Sequence, residues 1–584
     1  MKQHLTHLIE EALDSLVKQG LLSSSLASIQ IEATKDHQHG DFACNIALML
    51  AKSVKQKPQD FAAKIVAAMP ASPYVEKIAI AGPGFINFFL STQSVGEVVK
   101  RIHAERNQFG RCAIGRKKRV LVEFVSSNPT GPLHVGHGRH AAFGNIVCHL
   151  LDAIGFDVAS EYYVNDAGRQ IDILTVSVWL RYLNALGESV PFPANAYRGE
   201  YVVTIAETIK KEHNASFAVS SQSIFTDLPK DENEGGDKEL YIDAVIERAK
   251  QLLGAKYQLL LDRGLASILA DIENDLTEFG VTFDRWFSER EFIATGVVDA
   301  LLQKLMLSGH TYELEGATWF RSTNFGDEKD RVLVRSNGVR TYFANDIAYH
   351  LSKFERGFDL AVDIFGADHH GYVERMRGAI TASGIDSERL IYLLTQFVSL
   401  YRSGKPVSMS TRAGDFVTLR ELRQEVGNDA ARFFYVMRKV NQHIDFDLDL
   451  AKSQSNDNPI YYVQYAYARI CSVLKQLEAR GLQYNEENGL ANLHCLEEIH
   501  ERQLLNLLAR YPETIVEAAV HYEPQILTQY LRDVAACFHA YYNAHSFLVE
   551  VVSVRDARLA LVLALRQVLQ NGFEILGIHA RESM

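Results

Sequence analysis

The stretch NPTGPLHVGHGRH, Asn128 to His140, decides how the chain is read. It sets His134 and His137 three apart with Gly136 between them. Before it runs KRVLVEFVSS, Lys118 to Ser127, a short β-rich run of the kind buried on both faces of a sheet. After it, GRHAAFGNIVCHLLDAIG reads as a helix ended by Gly155, and FDVASEYYVND as the next strand. Strand, loop, helix and strand make a βαβ unit, which implies a parallel sheet. Ligands of such sheets bind outside the carboxyl ends of the strands, where this loop lies. Three readings compete: a metal site, an incidental turn and a nucleotide-phosphate site. The metal reading lacks a carboxylate or thiolate at a ligand spacing nearby. The phosphate reading fits better. A helix N-terminus offers free backbone N–H groups and a positive dipole end. Gly136 lets a ligand approach the backbone, and His134 and His137 can donate to phosphate oxygens from either side of it.

A second such unit lies far downstream. FDLAVDIFGADHHG is a strand ending in polar residues, YVERMRGAITASGI a helix and LIYLLTQFVSL another strand. Between the units, about 171–330 reads as a mostly helical insertion with a solvated acidic loop, DLPKDENEGGDKE. RVLVRSNGVRTYF reads as a hairpin around Asn337-Gly338. Residues 1–110 form a separate α+β pattern, with helices in LIEEALDSLVKQG and FAAKIVAAM and a strand pair turning at Gly82-Pro83-Gly84. Residues 118–454 hold the parallel-sheet units, and 455–584 are patterned as an all-α bundle. The expected fold class is α/β: a Rossmann-type parallel-sheet domain with an α+β N-terminal domain and an all-α C-terminal bundle.

Bulk properties narrow the partners. The chain has 584 residues, 47% of them hydrophobic, and a formal charge of −12. That charge argues against indiscriminate nucleic-acid binding, yet leaves local basic patches such as Arg111–Arg119. No apolar run approaches the roughly 20 residues that span a bilayer. The first twenty residues suggest an amphipathic helix with acids rather than a secretory signal, so the cytoplasm and no membrane partner are expected. Six cysteines without a C-x-x-C pair indicate buried free thiols, not a zinc ribbon or a disulfide framework.

H-x-G-H alone is a weak motif, but its surround is specific. VEFVSSNPTGPLHVGHGRH closely resembles the signature of bacterial arginyl-tRNA synthetases, class I enzymes with a Rossmann-type catalytic domain. GVRTYFANDIAYH, IFGADHHGYVERM, NDAARFFYVMRK and the terminal LGIHARESM resemble segments of that family in the same order. HGDFACNIALMLAK resembles its extra N-terminal domain. The resemblance implies an arginine–tRNA ligase. Arginine attacks the α-phosphate of ATP, and the arginyl group then passes to the terminal ribose of tRNA(Arg). No nucleophilic side chain is needed, so catalysis rests on positioning and on stabilising charge at the α-phosphate.

The resemblance also assigns residues. His134 and His137 stabilise that charge. Gly136, Gly366 and Asp368 border the nucleotide. The second signature of class I synthetases, K-M-S-K-S, is matched by Ser408-Met409-Ser410-Thr411-Arg412, so both lysine positions are replaced. Arg412 or Lys405 is then the candidate cation, though an Arg fork differs from a Lys point charge. A guanidinium in a water-poor site demands a carboxylate that accepts paired N–H donors. Tyr342, Asp346 and Glu123 are implied for that end of arginine, and Ser126, Asn128 and His137 for its α-amino and carboxylate end. The contact at His370, where some relatives carry glutamine, stays open. Tyr461 and Tyr465 share a helix face continued by Arg469, suited either to stacking on anticodon bases or to a core. The family's C-terminal bundle binds the anticodon loop and its N-terminal domain touches the tRNA elbow. Magnesium is expected on the phosphates of ATP with no protein-held metal, and the enzyme as a monomer that needs tRNA before it activates arginine. Rival readings are another class I synthetase, a small nucleotidyltransferase, and a tRNA-binding relative that charges nothing.

Overall fold

A computed structural model of the chain describes residues 2–23, 29–34, 39–407 and 417–584. The K-M-S-K-S match, Ser408 to Arg412, therefore lies outside the described residues.

At the centre is a five-stranded sheet with all neighbours parallel. Its strands are Arg119–Glu123 (the motif strand), Asp157–Val164, Arg285–Ser288, Leu360–Gly366 and Leu390–Thr395. Numbered along the chain they lie in the order 3-2-1-4-5. This is the order of a Rossmann half-sheet, in which the chain reverses direction across the sheet between strands 1 and 4. The crevice at that reversal opens beyond Glu123 and Gly366, the carboxyl ends of the two strands. Val120, Leu121 and Val122 are almost wholly buried, which is why this stretch reads as an unbroken apolar run.

The structure corrects the sequence reading in four places. The 171–330 insertion is not one block, because Arg285–Ser288 returns to the sheet as its edge strand beside Asp157–Val164. Four residues without alternation carry too little periodicity to reveal a strand. Helices occupy the chain before this strand, and a three-stranded antiparallel sheet, Thr311–Leu314, Ala317–Phe320 and Arg331–Val334, follows it. The hairpin around Asn337-Gly338 shrinks to one bridge, Val334 to Arg340. The turn forms, with Gly338 at φ 78°, but Thr341 then caps a helix, Tyr342–Glu355, by accepting from the Ala344 N–H. LIYLLTQFVSL is two strands rather than one: Leu390–Thr395 ends the main sheet and Val398–Arg402 joins a separate three-stranded sheet. Finally, Val552–Leu576 is long and apolar enough to cross a membrane by length and composition. It is instead the buried central helix of the bundle, and its apolar face is core rather than lipid surface.

The N-terminal strands form their own antiparallel sheet, packed with Lys2–Lys18 and Pro58–Ala68 around a separate core. The bundle comprises Pro459–Ala479, Ile499–Val520, Pro524–Ala544 and Val552–Leu576, and its core runs without a break into that of the parallel sheet. Among the cysteines, all free, only Cys44 and Cys471 are fully buried; the other four are partly exposed, short of the burial expected.

The helix that follows the motif, Val135–Ala153, lies tight on the motif strand's extension. Gly144 permits this, since a Cβ there would collide with the ring of Phe124, itself fully buried. In an open helix, Gly→Ala stabilises by about 1 kcal/mol. Here overpacking costs about 1–3 kcal/mol or more and wins. Gly144→Ala is therefore expected to lower the unfolding midpoint of the catalytic region in denaturant titration, opposite in sign to the same change at a solvent-facing helix glycine.

Candidate active site

The backbone bends sharply as it leaves the motif strand. Val125 and Ser126 have φ of 69° and 41°. A left-handed valine is costly, of order 1–3 kcal/mol, and such strain clusters at functional sites. The bend turns the Ser126 hydroxyl inward. It donates to Glu123 Oε1 at 3.0 Å and accepts from the Tyr163 N–H at 3.1 Å, pinning the bend to the next strand.

His134 is the N-cap of the motif helix. Its Nδ1 accepts from the N–H groups of Gly136 and His137, and the His134 N–H donates to His137 Nδ1 at 3.3 Å. The reciprocal box has two consequences. Each Nδ1 is an acceptor, so the proton of each neutral ring sits on Nε2. The rings also stack, with centroids 3.6 Å apart and planes 17° apart. Burial lowers the pKa of both rings, and for His137 the neighbouring His134 adds to the fall. Both are therefore neutral near pH 7, each presenting an Nε2–H donor. The sequence picture changes in two respects. The imidazoles do not flank Gly136 from opposite sides, because positions three apart on one turn share a face. The first helical N–H groups are not open to phosphate: His134 holds two of them and Val417 O accepts from Val135 N at 3.2 Å.

Above the sheet reversal lies a cavity of about 800 Å³. Glu123, Ser126, Asn128, His134, Gly136 and His137 line it from the motif side. Asp346, Gly366 and Asp368 line it from the opposite side. The cavity thus gathers residues 245 positions apart in sequence, Glu123 to Asp368, on strand ends only one hydrogen-bonded ladder apart. Tyr342 is not in the lining. It begins its helix 65% exposed, with its hydroxyl near Gly168. The face it was expected to share with Asp346 is instead completed by Tyr372, whose hydroxyl donates to Asp346 Oδ2 at 2.6 Å. Lys405 is exposed on a two-residue strand and also lies outside the lining.

The acids of the site differ in their partners. Glu123 is buried, and its Oε2 is taken by Tyr349 Oη at 2.8 Å and Lys353 Nζ at 2.6 Å. Lys353 also donates to Asp363 Oδ1 at 2.6 Å. Burial opposes the charge of Lys353, but Asp363 and Glu123 hold its pKa above the ordinary lysine value. Glu123 is thus already half of a buried ion pair. Asp346 has only the Tyr372 hydroxyl as a hydrogen-bond donor among the described residues, and burial raises its pKa. An acid on which the charge of Asp346 acts was missed at the level of sequence. Glu289, fully buried at the start of Glu289–Ala294, has its pKa raised to about 7 by burial and then by the charge of Asp346. Nothing in EREFIA distinguishes Glu289 from an exposed acid of a helix's first turn. Only the return of Arg285–Ser288 to the sheet carries it close to Asp346; like Tyr342 it lies outside the cavity lining, against Tyr163, which does line it.

On the bundle, Tyr461 and Tyr465 stack at 5.8 Å, and the Arg469 guanidinium lies 4.5 Å from the Tyr465 ring centroid and 4.6 Å from that of Tyr542. All three side chains of that row are partly exposed, while Val463 and Gln464 on the other face are buried. They form a surface layer, not core.

Comparison with known proteins agrees with this anatomy. The family described as arginyl tRNA synthetase N terminal domain matches residues 3–90. That described as tRNA synthetases class I (R), catalytic domain, matches 98–446, and the DALR anticodon binding domain matches 463–584. An arginine–tRNA ligase of Thioalkalivibrio sulfidiphilus is 56% identical over 586 residues, covering 100% of both chains. One from Legionella pneumophila is 54% identical with the same coverage. In fold, the chain is similar to the solved Thermus thermophilus arginyl-tRNA synthetase, with a TM-score of 0.73 at 22% identity over 100% of each chain. With a class I catalytic domain, the two flanking domains that accompany it, and full-length relatives above half identity, the chain belongs to the arginyl-tRNA synthetase family of class I aminoacyl-tRNA synthetases.

Proposed function

We propose that this chain is an arginine–tRNA ligase that works through the roles set out here. It activates L-arginine with ATP to arginyl-adenylate, releasing pyrophosphate, and transfers the arginyl group to tRNA(Arg), releasing AMP. The observation that carries the residue-level reading is one cavity with neutral imidazole donors on one wall and two buried, mutually repelling carboxylates near the other. The polarity matches adenylate formation. The Nε2–H groups of His134 and His137 donate to oxygens that gain charge at the α-phosphate. They are pre-oriented by the cap and need no reorganisation as the charge develops. Asp346 and Glu289 hold the guanidinium. Glu123, expected from the sequence at the guanidinium end, is read instead at the α-amino end with Ser126, Asn128 and His137, because Lys353 already pairs its carboxylate. The arginine carboxylate attacks phosphorus, the bond to pyrophosphate breaks, and no protein atom is covalently modified. The exposed carboxylate of Asp368 at the nucleotide end is an oxygen donor of the kind magnesium takes, and the ion would otherwise be carried by phosphates and water. The phosphate-gripping role of Ser408, Met409, Ser410 and Arg412 is carried forward as part of this reading, as are the domain limits 1–110, 118–454 and 455–584. So are action in the cytoplasm as a monomer and anticodon stacking by Tyr461 and Tyr465.

ATP–pyrophosphate exchange with arginine, with and without cognate tRNA, tests the whole reading; no exchange in either condition sinks it. His134→Ala and His137→Ala should each lower kcat for exchange on the order of 10²-fold, with little change in arginine affinity for His134→Ala and a raised KM for arginine for His137→Ala, which also borders the arginine backbone end. Asp346→Asn should act on the other substrate. It should cost about 10²-fold in kcat/KM for arginine, because a charge-assisted pair becomes a neutral one in a dry site, and leave the KM for ATP near wild type.

Glu289 gives a pH signature. Its pKa in the free protein is about 7, and a bound guanidinium favours the carboxylate. Arginine binding near pH 7 must therefore expel a proton. Affinity should fall up to tenfold per unit as pH drops below 7 and level off above it. Calorimetry in buffers of different ionisation heat reads the released proton directly. Glu289→Gln should remove the release; a variant that still expels it shows that another group titrates.

A further inference from the structure

The buried charges around Lys353 include one more titratable group. His350 lies one turn after Asp346 on Tyr342–Glu355 and is buried. Its Nδ1 stands 2.7 Å from the main-chain oxygen of Asp346. Its Nε2 stands 2.9 Å from Asp363 Oδ2, and neither of these two atoms has another partner among the described residues. A carbonyl oxygen only accepts, so Nδ1 carries a proton. An ionised carboxylate also only accepts, so the second contact needs a proton of its own. Asp363 does not supply it. Burial opposes the charge of Asp363, but Lys353 and His350 together hold its pKa below the ordinary aspartate value.

Charge counting leads the same way. The cluster joined to the ring holds the carboxylates of Asp363, Glu123 and Glu161 against the cations of Lys353 and Arg356. A proton on His350 brings it to neutrality, as a dry interior favours. Tyr349 and Tyr392, whose rings lie 5.4 and 6.2 Å from that of His350, add no charge, because burial pushes the pKa of both phenols well up. Asp346 stands outside that count. Burial raises its pKa, and the Tyr372 hydroxyl and then the charges of His350, His369 and Lys353 pull against the rise.

We infer that His350 is an imidazolium at neutral pH and a positioning residue for arginine: its Nδ1–H holds the backbone of Asp346, its Nε2–H is anchored on Asp363, and its charge keeps the Asp346 carboxylate ionised for the guanidinium. The last part rests on the reading that Asp346 takes that end of arginine. Both ring N–H groups are engaged, so the ring offers none to substrate and acts through Asp346.

Nitrogen-15 NMR of the histidine rings in the free protein reads the protonation directly. The signal lost in His350→Gln belongs to His350. It is expected to show both nitrogens protonated from about pH 6 to about pH 8, where an ordinary imidazole loses its charge. In Asp363→Asn the same ring should be neutral with its proton on Nδ1, which also identifies the signal should His350→Gln not fold. Arginine affinity by calorimetry, with and without cognate tRNA, gives the second readout. Both variants should bind arginine about tenfold more weakly near pH 6 and approach wild type as pH rises, because Asp346 without the neighbouring charge keeps its proton to higher pH. Glu289 titrates in this range too, but His350 is not among the groups that set its pKa, so its effect is common to all three proteins. The KM for ATP should not change. A single protonated nitrogen on His350 in wild type overturns the proposal. So does a loss of arginine affinity of equal size at every pH, or no loss in either variant. If the ring is doubly protonated and arginine binds neither wild type nor variants, the reading of Asp346 fails and the charged ring stands.

Discussion

A single ammonium group holds the floor of the site together. Lys353, with no solvent exposure, lies between Glu123 and Asp363, which end and line two adjacent strands at the sheet reversal. Three charges in a dry interior are not a source of net stability relative to apolar side chains of the same shape. Their effect is on place. Removing the ammonium would leave two carboxylates facing each other, at a cost of about 3–5 kcal/mol, so the strands, the lysine helix and Glu123 hold one arrangement. The hydroxyl of Tyr349, one turn earlier on that helix, lies 2.8 Å from carboxylate oxygens of both Glu123 and Glu161 and shares its one proton between them, and Arg356 pairs with Glu161 beyond it. One helix face thus fixes three neighbouring strands by charge. About two turns before Lys353, the same helix delivers Asp346 to the cavity.

The opposite wall is fixed by different means. There the histidines cap their own helix, and the backbone after the undescribed 408–416 segment is stitched to them. Val417 O accepts from Val135 N, the Leu419 N–H donates to Leu133 O at 2.8 Å, and Thr418 bridges His134. Arg139, buried on the same helix, donates to the carbonyls of Gln396, Lys439 and Gln442. It thereby ties the break between the last two strands to the chain that leads towards the bundle. The chain that resumes at Val417 is therefore coupled to the histidine motif through backbone hydrogen bonds, so a shift of Val417–Leu419 is felt at the imidazoles.

Much of this was legible in the residues. The apolar run at 120–122, the glycine-spaced histidines and the helix ended by Gly155 announced the βαβ unit and the cavity at its carboxyl edge, but not that His134 and Val417 would take the helix N–H groups expected to face phosphate. Asp346 stood out because a planar cation needs an acid and the segment resembled a known one. The orientation of those groups was not legible. That His134 would cap its own helix depends on the backbone angle at one residue, and that Tyr372 rather than Tyr342 would touch Asp346 depends on how two distant helices pack. Glu289 was invisible because a four-residue edge strand has no periodicity to read.

The sequence by itself determined the local elements, the family and the kind of chemistry, because periodicity, caps and motif spacing act over a few residues. The tertiary structure alone decided which acids meet, which histidine nitrogens carry protons and which polar atoms are left unpaired. Those outcomes depend on burial and on contacts between strands far apart in the chain, and neither desolvation nor a long-range pair leaves a signature in any short stretch of residues.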